Sequence, residues 1–371
     1  MKRVVHLTSV HKQNDIRIFI KECCSLAKNG YKVVLIAPST EGEKTIEGVR
    51  IRSIPIPKNR FERMTKSFLR ICREARKEDA DIYHFHDPEL ILLGIFLRMT
   101  GKKVLYDVHE DYPRQIMDKG WIPRWLRKPL SLISRIVEFI AAHLLNGIVA
   151  ATPVIAQKFP TDKTVLVQNF PILGELVIDN QTSFPKRKPY VIYVGGLTII
   201  RGIKEMIEAV GILPEAKSVR LVLGGNFDSK DVEEQVRMLP GWDRVNYKGW
   251  LSRNDYRTLI NQCLAGLVLF HPAGNHIKSQ PNKLFEYMSV GIPVIASNFP
   301  LWREFVEKNK CGLLVDPLNP NEIADGIRWI LDHPEEAELM GKRGQEAVFS
   351  VYNWSVEEKK LLQFYGEMLN C

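Results

Sequence analysis

An α/β chain of two doubly wound domains is what the sequence predicts, on three observations. The chain has 371 residues, more than one ordinary core organises. Short β-branched runs alternate with helical patterns, the signature of parallel sheets covered on both faces. That alternation breaks once, over 170–189 (FPILGELVIDNQTSFPKRKP), where three prolines and little periodicity read as a connection.

The elements follow in order. RVVHLTS, KVVLIAPS, VRIRSIPI, DIYHFH, KVLYDVH, GIVAATP and TVLVQNF read as strands of the first domain. Helical patterns occupy 16–29, 60–78, 88–100 and 122–146 between them. After the break the strands are YVIYVGG, VRLVLGG, VNYKGW, AGLVLFH, PVIAS and CGLLVDP. Their helices are expected at 202–213, 229–239, 252–262, 282–290, 301–307, 320–331 and 334–349. The expected division is a first domain at 1–168, a linker at 169–189 and a second domain at 190–351. A last helix at 352–371 is a candidate to cross back to the first domain. Such a pair of open sheets is expected to bind ligands in a cleft at the carboxyl ends of the strands.

Composition narrows the function. Hydrophobic residues make up 45% and charged residues 26%, the balance of a globular chain. No apolar run reaches the roughly 18 residues of a membrane span. The opening MKRVVHLTSV reads as a strand, too short and too polar at its flank for a signal peptide. Six cysteines (Cys23, Cys24, Cys72, Cys263, Cys311, Cys371) form no C-x-x-C pair, so free thiols in a reducing cytoplasm are expected. The net charge of +9 favours phosphates or an anionic membrane face. Nucleic acid is disfavoured, since no basic helix suits a groove and no aromatic RNA-binding signature is present.

The stretch KSQPNKLFEYMSVGIPVIAS, 278–297, carries the most chemistry. Pro281 suits the first turn of a helix. The free N–H groups of such a turn hold phosphate, and Lys283 adds a full charge beside them. Asn282, Lys283 and Glu286 share one face, with Leu284, Tyr287 and Met288 on the buried one. A carboxylate one turn beyond a phosphate is placed for ribose hydroxyls. The bland alternative is a solvated Lys–Glu pair.

With that context, PNKLFEYMSVGIPVIAS resembles the nucleotide-binding segment of the family 4 glycosyltransferases, which have the GT-B fold. The likeness covers nearly the whole chain. HKQNDIRIFIKECCSLAKNGYKVVLIAPS is similar to the first β-α-β of capsule, lipopolysaccharide and related polysaccharide members. DIYHFHDPELILLG and KVLYDVHEDYP resemble their next strand ends. YVGGLTIIRGIKEMIEAV and CGLLVDPLNPNEIADGIRWILDHPE resemble the opening and close of their nucleotide domain. The resemblance implies a retaining, metal-independent enzyme that needs no cofactor, its nucleoside-diphosphate sugar being a co-substrate. It places Gly195, Gly196, Arg201, Lys278, Asn282, Lys283, Leu284 and Glu286 at the donor, and His109, Lys283 and Arg201 in catalysis. UDP is favoured over GDP.

Two departures stand out. The family's E-x7-E pair has its second glutamate at Glu286, but its first position is Lys278, so Asn275, His276 and Lys278 would take over. An arginine common after the first strand of the nucleotide domain is replaced by Gly196. Arg201 stands for the usual lysine, and Lys283 or Arg17 would offset the loss.

The first domain supplies the acceptor side. His109 ends a strand and is followed by Glu110 and Asp111, which could bind acceptor or orient the imidazole. HFHDPE offers His84, His86 and Asp87; His86 faces the cleft if the strand alternates, or serves structure. Two histidines flanking one residue hint at a metal, yet no partner set completes a site, so none is expected. Asp15 either caps a helix or, with Arg17, meets acceptor hydroxyls.

The expected reaction moves a sugar to a glycan or lipid-linked glycan in cell-surface polysaccharide synthesis. Lys283, Arg201 and helix N-termini would neutralise the leaving diphosphate. KNRFERMTKSFLRICREARK and WIPRWLRKPLSLISRIVEFIAAHLL, with Trp121 and Trp125, are basic and apolar enough to rest on an anionic membrane, or are ordinary domain helices. The expected location is cytoplasmic, with the inner face of the cell membrane as its extension. Rival readings are a sugar-nucleotide epimerase and a non-catalytic partner subunit of the same fold. A dinucleotide oxidoreductase is disfavoured, because no G-x-G-x-x-G follows the first strand.

Overall fold

A computed structural model of the chain describes residues 1–178, 183–273 and 276–370. It divides into two compact units, Met1–Asn169 with Trp354–Cys371, and Phe170–Asn353.

The first unit holds an eight-stranded sheet: β1 (Arg3–Leu7), β2 (Lys32–Pro38), β3 (Lys44–Ile46), β4 (Val49–Ile54), β5 (Ile82–Phe85), β6 (Lys103–Val108), β7 (Gly147–Ala150) and β8 (Thr164–Leu166). Their spatial order is β3-β4-β2-β1-β5-β6-β7-β8. All pairs are parallel except β3 with β4. The β-branched runs read from sequence are these strands because helices cover both faces and bury nearly every position of β1, β5 and β7. The chain order reverses between β1 and β5, so the loops after those strands splay apart and leave room for side chains. The helix after β1 runs π-wound over Ile16–Cys23 and continues as α-helix over Cys24–Lys28. A helix at Trp354–Asn370 packs in this unit, where Trp354 Nε1 donates to Ser25 Oγ at 2.9 Å and Lys103 Nζ to the Met368 carbonyl at 2.5 Å.

The second unit holds six parallel strands: β9 (Tyr190–Val194), β10 (Arg220–Gly224), β11 (Val245–Tyr247), β12 (Ala265–Val268), β13 (Val294–Ser297) and β14 (Gly312–Val315). Their order is β11-β10-β9-β12-β13-β14, with the reversal between β9 and β12. The helix Asn282–Ser289 crosses from β12 to β13, with Leu284, Phe285, Tyr287 and Met288 in the core. Gly266 on β12 permits this, because a Cβ there would stand 2.1 Å from the Tyr287 ring.

One expectation is corrected, and two elements were not foreseen. The stretch read as a linker belongs to the second unit, where Phe170, Leu176 and Phe184 are buried in its core. The short antiparallel β3 was not anticipated, nor was the helix Tyr112–Asp118 after β6. Among the described residues, no helix is long and apolar enough to cross a membrane. Cys23, Cys24, Cys72, Cys263 and Cys311 are free thiols.

Candidate functional site

In the second unit the groups with binding chemistry gather at the carboxyl ends of β9 and β12. The helix Asn282–Ser289 starts after Pro281 with no side chain capping its first N–H groups. Its Glu286 is 7% exposed and holds three donors: Arg253 Nη1 on Oε1 at 2.9 Å, and Tyr256 Oη at 3.0 Å and Lys283 Nζ at 2.6 Å on Oε2. Burial pushes its pKa up, but Lys283 and Arg253 outweigh burial and bring it down to about 2. A carboxylate has about four lone-pair sites, so one on Oε1 stays open to a hydroxyl. Arg253 in turn grips Glu175 through Nε at 2.7 Å and Nη2 at 2.8 Å. Lys283 also lies 4.2 Å from the Tyr256 ring centre.

Arg201 closes a short turn, Ile199–Arg201, behind β9. Its Nη1 stands 3.4 Å from where a Cβ of either Gly195 or Gly196 would be. The guanidinium therefore fills the space that a side chain at Gly196 would take. Gly202 follows with φ +75°, and a Cβ there would meet the Leu269 carbonyl oxygen at 2.0 Å. Gly225 is pinned likewise, its Cβ position 1.8 Å from the Gly195 oxygen. Phe270, just beyond β12, lies between Arg201 (5.4 Å) and the His276 ring (4.9 Å). Trp302 Nε1 donates to the Ser279 carbonyl at 2.7 Å and anchors the segment leading into Pro281. Glu205 on the helix after Gly202 meets His271 Nε2 at 3.0 Å.

Asn282 and Lys278 are exposed, Lys283 is half-buried, and the Leu284 side chain is fully buried, so Leu284 can offer only its backbone. Asn275 lies outside the described residues. Arg253, Tyr256, Glu175, Glu205 and His271 were not singled out from sequence.

The first unit buries an ionic network behind the end of β6. Arg17 donates to Asp107 through Nε at 3.1 Å and Nη2 at 2.9 Å, and through Nη1 to the Val167 carbonyl at 2.9 Å. Burial opposes charge on Asp107, but the Arg17 pair keeps its pKa well below the usual range. Arg17 is 5% exposed and committed to these partners, which corrects its expected place at the acceptor or the diphosphate. His86 is 2% exposed, with Nε2 at 2.9 Å from His6 Nδ1 and Nδ1 at 3.2 Å from Asp107 Oδ2. Its expected acceptor contact is corrected too: it is packed inside. Asp15 takes the capping role, Oδ1 accepting from Arg17 N and Ile18 N at 2.9 Å each. Burial resists its charge, yet His11 and the Ile18 amide bring its pKa down to about 2.

The absent metal partners are also corrected. His6, Glu22, His84 and His86 bring four ligand atoms within 4.8 Å of one another. The cluster is only partly satisfied: both Glu22 carboxylate oxygens and His84 Nε2 are buried without a hydrogen-bond partner among the described residues. His84 Nδ1 meets the Tyr365 hydroxyl at 2.7 Å, and the Arg17 cation stands 3.1 Å from Glu22. Burial holds His6 and His84 well below the usual histidine range, and burial followed by the Asp107 charge raises Glu22.

His109 sits at the edge of this network, with both ring nitrogens buried and Nδ1 3.5 Å from Asp107 Oδ1. Its ring stacks on His86 at 5.3 Å, and neither ring nitrogen has a hydrogen-bond partner among the described residues. Burial lowers its pKa to about 3 against the pull of Asp107, so the imidazole is neutral. His11, unremarked in the sequence, stands edge-on to it at 5.4 Å. Burial works against charge on His11, but Asp15 and Asp87 raise its pKa. Glu110 is exposed, and its carboxylate accepts from Gln115.

Comparisons with known proteins follow the same division. The family model described as Glycosyltransferase Family 4 matches residues 20–165, and that described as Glycosyl transferases group 1 matches residues 175–347. The chain is 25% identical over 183 residues to alpha-D-kanosaminyltransferase of Streptomyces kanamyceticus, covering 49% of this chain and 46% of that one. It is 24% identical over 178 residues to an uncharacterized glycosyltransferase of Methanocaldococcus jannaschii, covering 47% and 44%. The chain spans about half the length of the curated relatives it matches. Sucrose-phosphate synthase from Thermosynechococcus elongatus superposes with a TM-score of 0.78 at 18% identity, covering 100% of both chains. HepE of Anabaena in complex with UDP-glucose gives 0.75 at 12% identity, over 99% of this chain and 100% of that one. At such identities the likeness is one of fold.

Proposed function

The chain belongs to the family 4 glycosyltransferases of the GT-B fold, and on that premise we propose that it moves a sugar from a nucleoside diphosphate, UDP first among them, to a glycan or lipid-linked glycan. The observation that carries this reading is Glu286: ionised, gripped by Arg253, Tyr256 and Lys283, with one lone pair open beside an uncapped helix end. An NDP-sugar would place its diphosphate at that helix end and Arg201, and a ribose hydroxyl on Glu286. The complex of HepE with UDP-glucose supports UDP as the carrier to try first.

Bond cleavage builds negative charge on the diphosphate, and Lys283, Arg201 and the helix amides neutralise it without a metal or other cofactor. His109 carries a neutral imidazole, suited to act as a hydrogen-bond partner rather than a proton donor. The sugar keeps its configuration, with the acceptor attacking from the leaving-group face and its proton passing to the departing phosphate. The setting is cell-surface polysaccharide synthesis at the cytoplasmic face of a membrane.

Turnover tests this. Incubation with UDP-sugars and a lipid-linked glycan should release UDP at a rate unchanged by EDTA. Release without net transfer to any acceptor would still exclude a non-catalytic subunit. Interconversion of the sugar with no UDP released would favour an epimerase. Loss of activity in EDTA would overturn the metal-free mechanism.

A further inference from the structure

We propose that the outward face of the helix Arg124–Leu144 in the first unit docks on the surface of an anionic lipid bilayer. The inner stripe of this helix is polar until its last turn, where Ala141 and Ala142 enter the apolar core. Arg127, Ser131, Ser134 and Glu138 recur at spacings of four and three and are buried or half-buried. Each of three has a partner: Arg127 Nε donates to the Ile122 carbonyl at 2.9 Å, Ser131 Oγ to the Pro113 carbonyl at 2.7 Å, and Tyr106 Oη to Glu138 Oε1 at 3.5 Å. The opposite face is apolar and open. Trp125 is 75% exposed and Phe139 61%, with Leu132, Ile133, Ile136 and Ile140 on the same face at helical spacing. A water-facing helix has the reverse pattern.

The face does not stop at one helix. Leu92, Phe96 and Met99 are exposed on the helix Ile91–Met99, which contacts it. Exposed apolar side chains clustered on two adjoining helices mark a docking site.

Charge identifies what docks. From Lys119 to Lys158 the only carboxylate is Glu138, which is buried. Arg124, Lys128 and Arg135 are exposed along one flank of the apolar face. At its start the Arg60 guanidinium covers the Trp121 ring at 4.0 Å. Burial first, then Arg60 and Arg63, depress the Lys119 pKa against the pull of Glu110 and Glu89. A second copy would bring the same cations to the contact, whereas anionic headgroups complement them while acyl chains take the apolar face. The helix would lie in the interface, since its inner stripe is engaged in the unit.

This extends the proposed lipid-linked acceptor and rests on it only for its purpose. The test is cosedimentation of the full chain with vesicles of phosphatidylcholine and phosphatidylglycerol, and of phosphatidylcholine alone. The chain should pellet with the anionic vesicles and be released by salt. Reversal of Arg124, Lys128 and Arg135 to Glu should weaken partitioning on the order of a hundredfold. Ile136→Glu with Ile140→Glu should abolish it and leave the UDP-induced rise in unfolding temperature intact. Equal partitioning of wild type and both variants would overturn the proposal. So would a dimer, formed without lipid and dissolved by Ile136→Glu with Ile140→Glu. A chain that responds to UDP but ignores vesicles overturns the surface alone. One that binds vesicles but not UDP leaves the surface standing and counts against the donor reading.

Discussion

Arg253 Nη1 donates to Glu286 Oε1 at 2.9 Å, while the other two nitrogens of the same guanidinium hold Glu175. One planar cation thus fixes the carboxylate that faces the proposed ribose. Arg253→Ala would leave two carboxylates short of their shared partner, at a cost of about 2 kcal/mol or more in urea unfolding. Arg253→Lys should fall between the two, because an ammonium cannot fork across both acids. Equal stability of all three would contradict this account.

The two units should respond differently to acid. Glu286, at about 2 in the fold against an ordinary 4.5, contributes on the order of 3 kcal/mol at neutral pH. Its folded pKa is depressed, so that stability is present above about 4.5 and lost as pH falls toward 2. His6, His84 and His109 are held neutral below an ordinary 6.5. They bind protons on unfolding, so the first unit loses stability as soon as pH falls below about 6.5. Glu22, Glu138 and His11 run the other way, since their raised pKa values favour the fold at lower pH, but the three histidines are joined near pH 4 by Asp15 and Asp107, whose pKa values are depressed. Hydrogen exchange across pH 7 to 4 should show β1, β5 and β6 losing protection while β12 and β13 keep theirs. Loss of protection in both units together would count against these assignments.

Gly202 sets Arg201. An alanine there would take φ +75° and press on the Leu269 oxygen, at a cost of at least about 2 kcal/mol. The displaced turn should carry Arg201 off Gly195 and Gly196 and weaken UDP binding. Unchanged UDP affinity in Gly202→Ala would remove Arg201 from the donor site.

A neutral His109 makes a kinetic prediction. His109→Ala should lower turnover about a hundredfold, the usual cost of a lost transition-state hydrogen bond, with UDP affinity kept. His109→Asn should restore part of the rate. With a pKa of about 3, His109 gives no limb to the pH–rate profile near 6.5. Such a limb, vanishing in His109→Ala, would show that the imidazole takes a proton in the reaction.

Much of this was legible in the chain because local chemistry fixes it. RVVHLTS and PVIAS are β-branched and doubly covered, so they read as buried strands and are β1 and β13. PNKLFEYM shows its helix and its buried face directly. The remainder depends on contacts between distant residues. Arg17 stands at a helix start beside a strand end, like a ligand, and only Asp107, ninety positions on, shows it to be committed inside. Arg253 gave no local sign of its partner Glu286, thirty-three positions away. His6 looked like one more strand position until β5 brought His84 and His86 against it. The prolines of 170–189 suggested a free connection, but irregular backbone can be buried wherever Phe170, Leu176 and Phe184 find a core. β3 is three residues, Lys44–Ile46, none of them buried, and leaves no pattern to read.

The central claim, that the helix starting at Asn282 binds a nucleoside diphosphate with Glu286 on the ribose, is tested most directly by thermal unfolding with UDP. At about a hundred times its dissociation constant UDP should add about 2.7 kcal/mol, a rise of roughly 5 to 10 °C. GDP, CDP and ADP should give less, and in Glu286→Ala the UDP rise should disappear. No rise with any diphosphate, or an equal rise in wild type and Glu286→Ala, would contradict it.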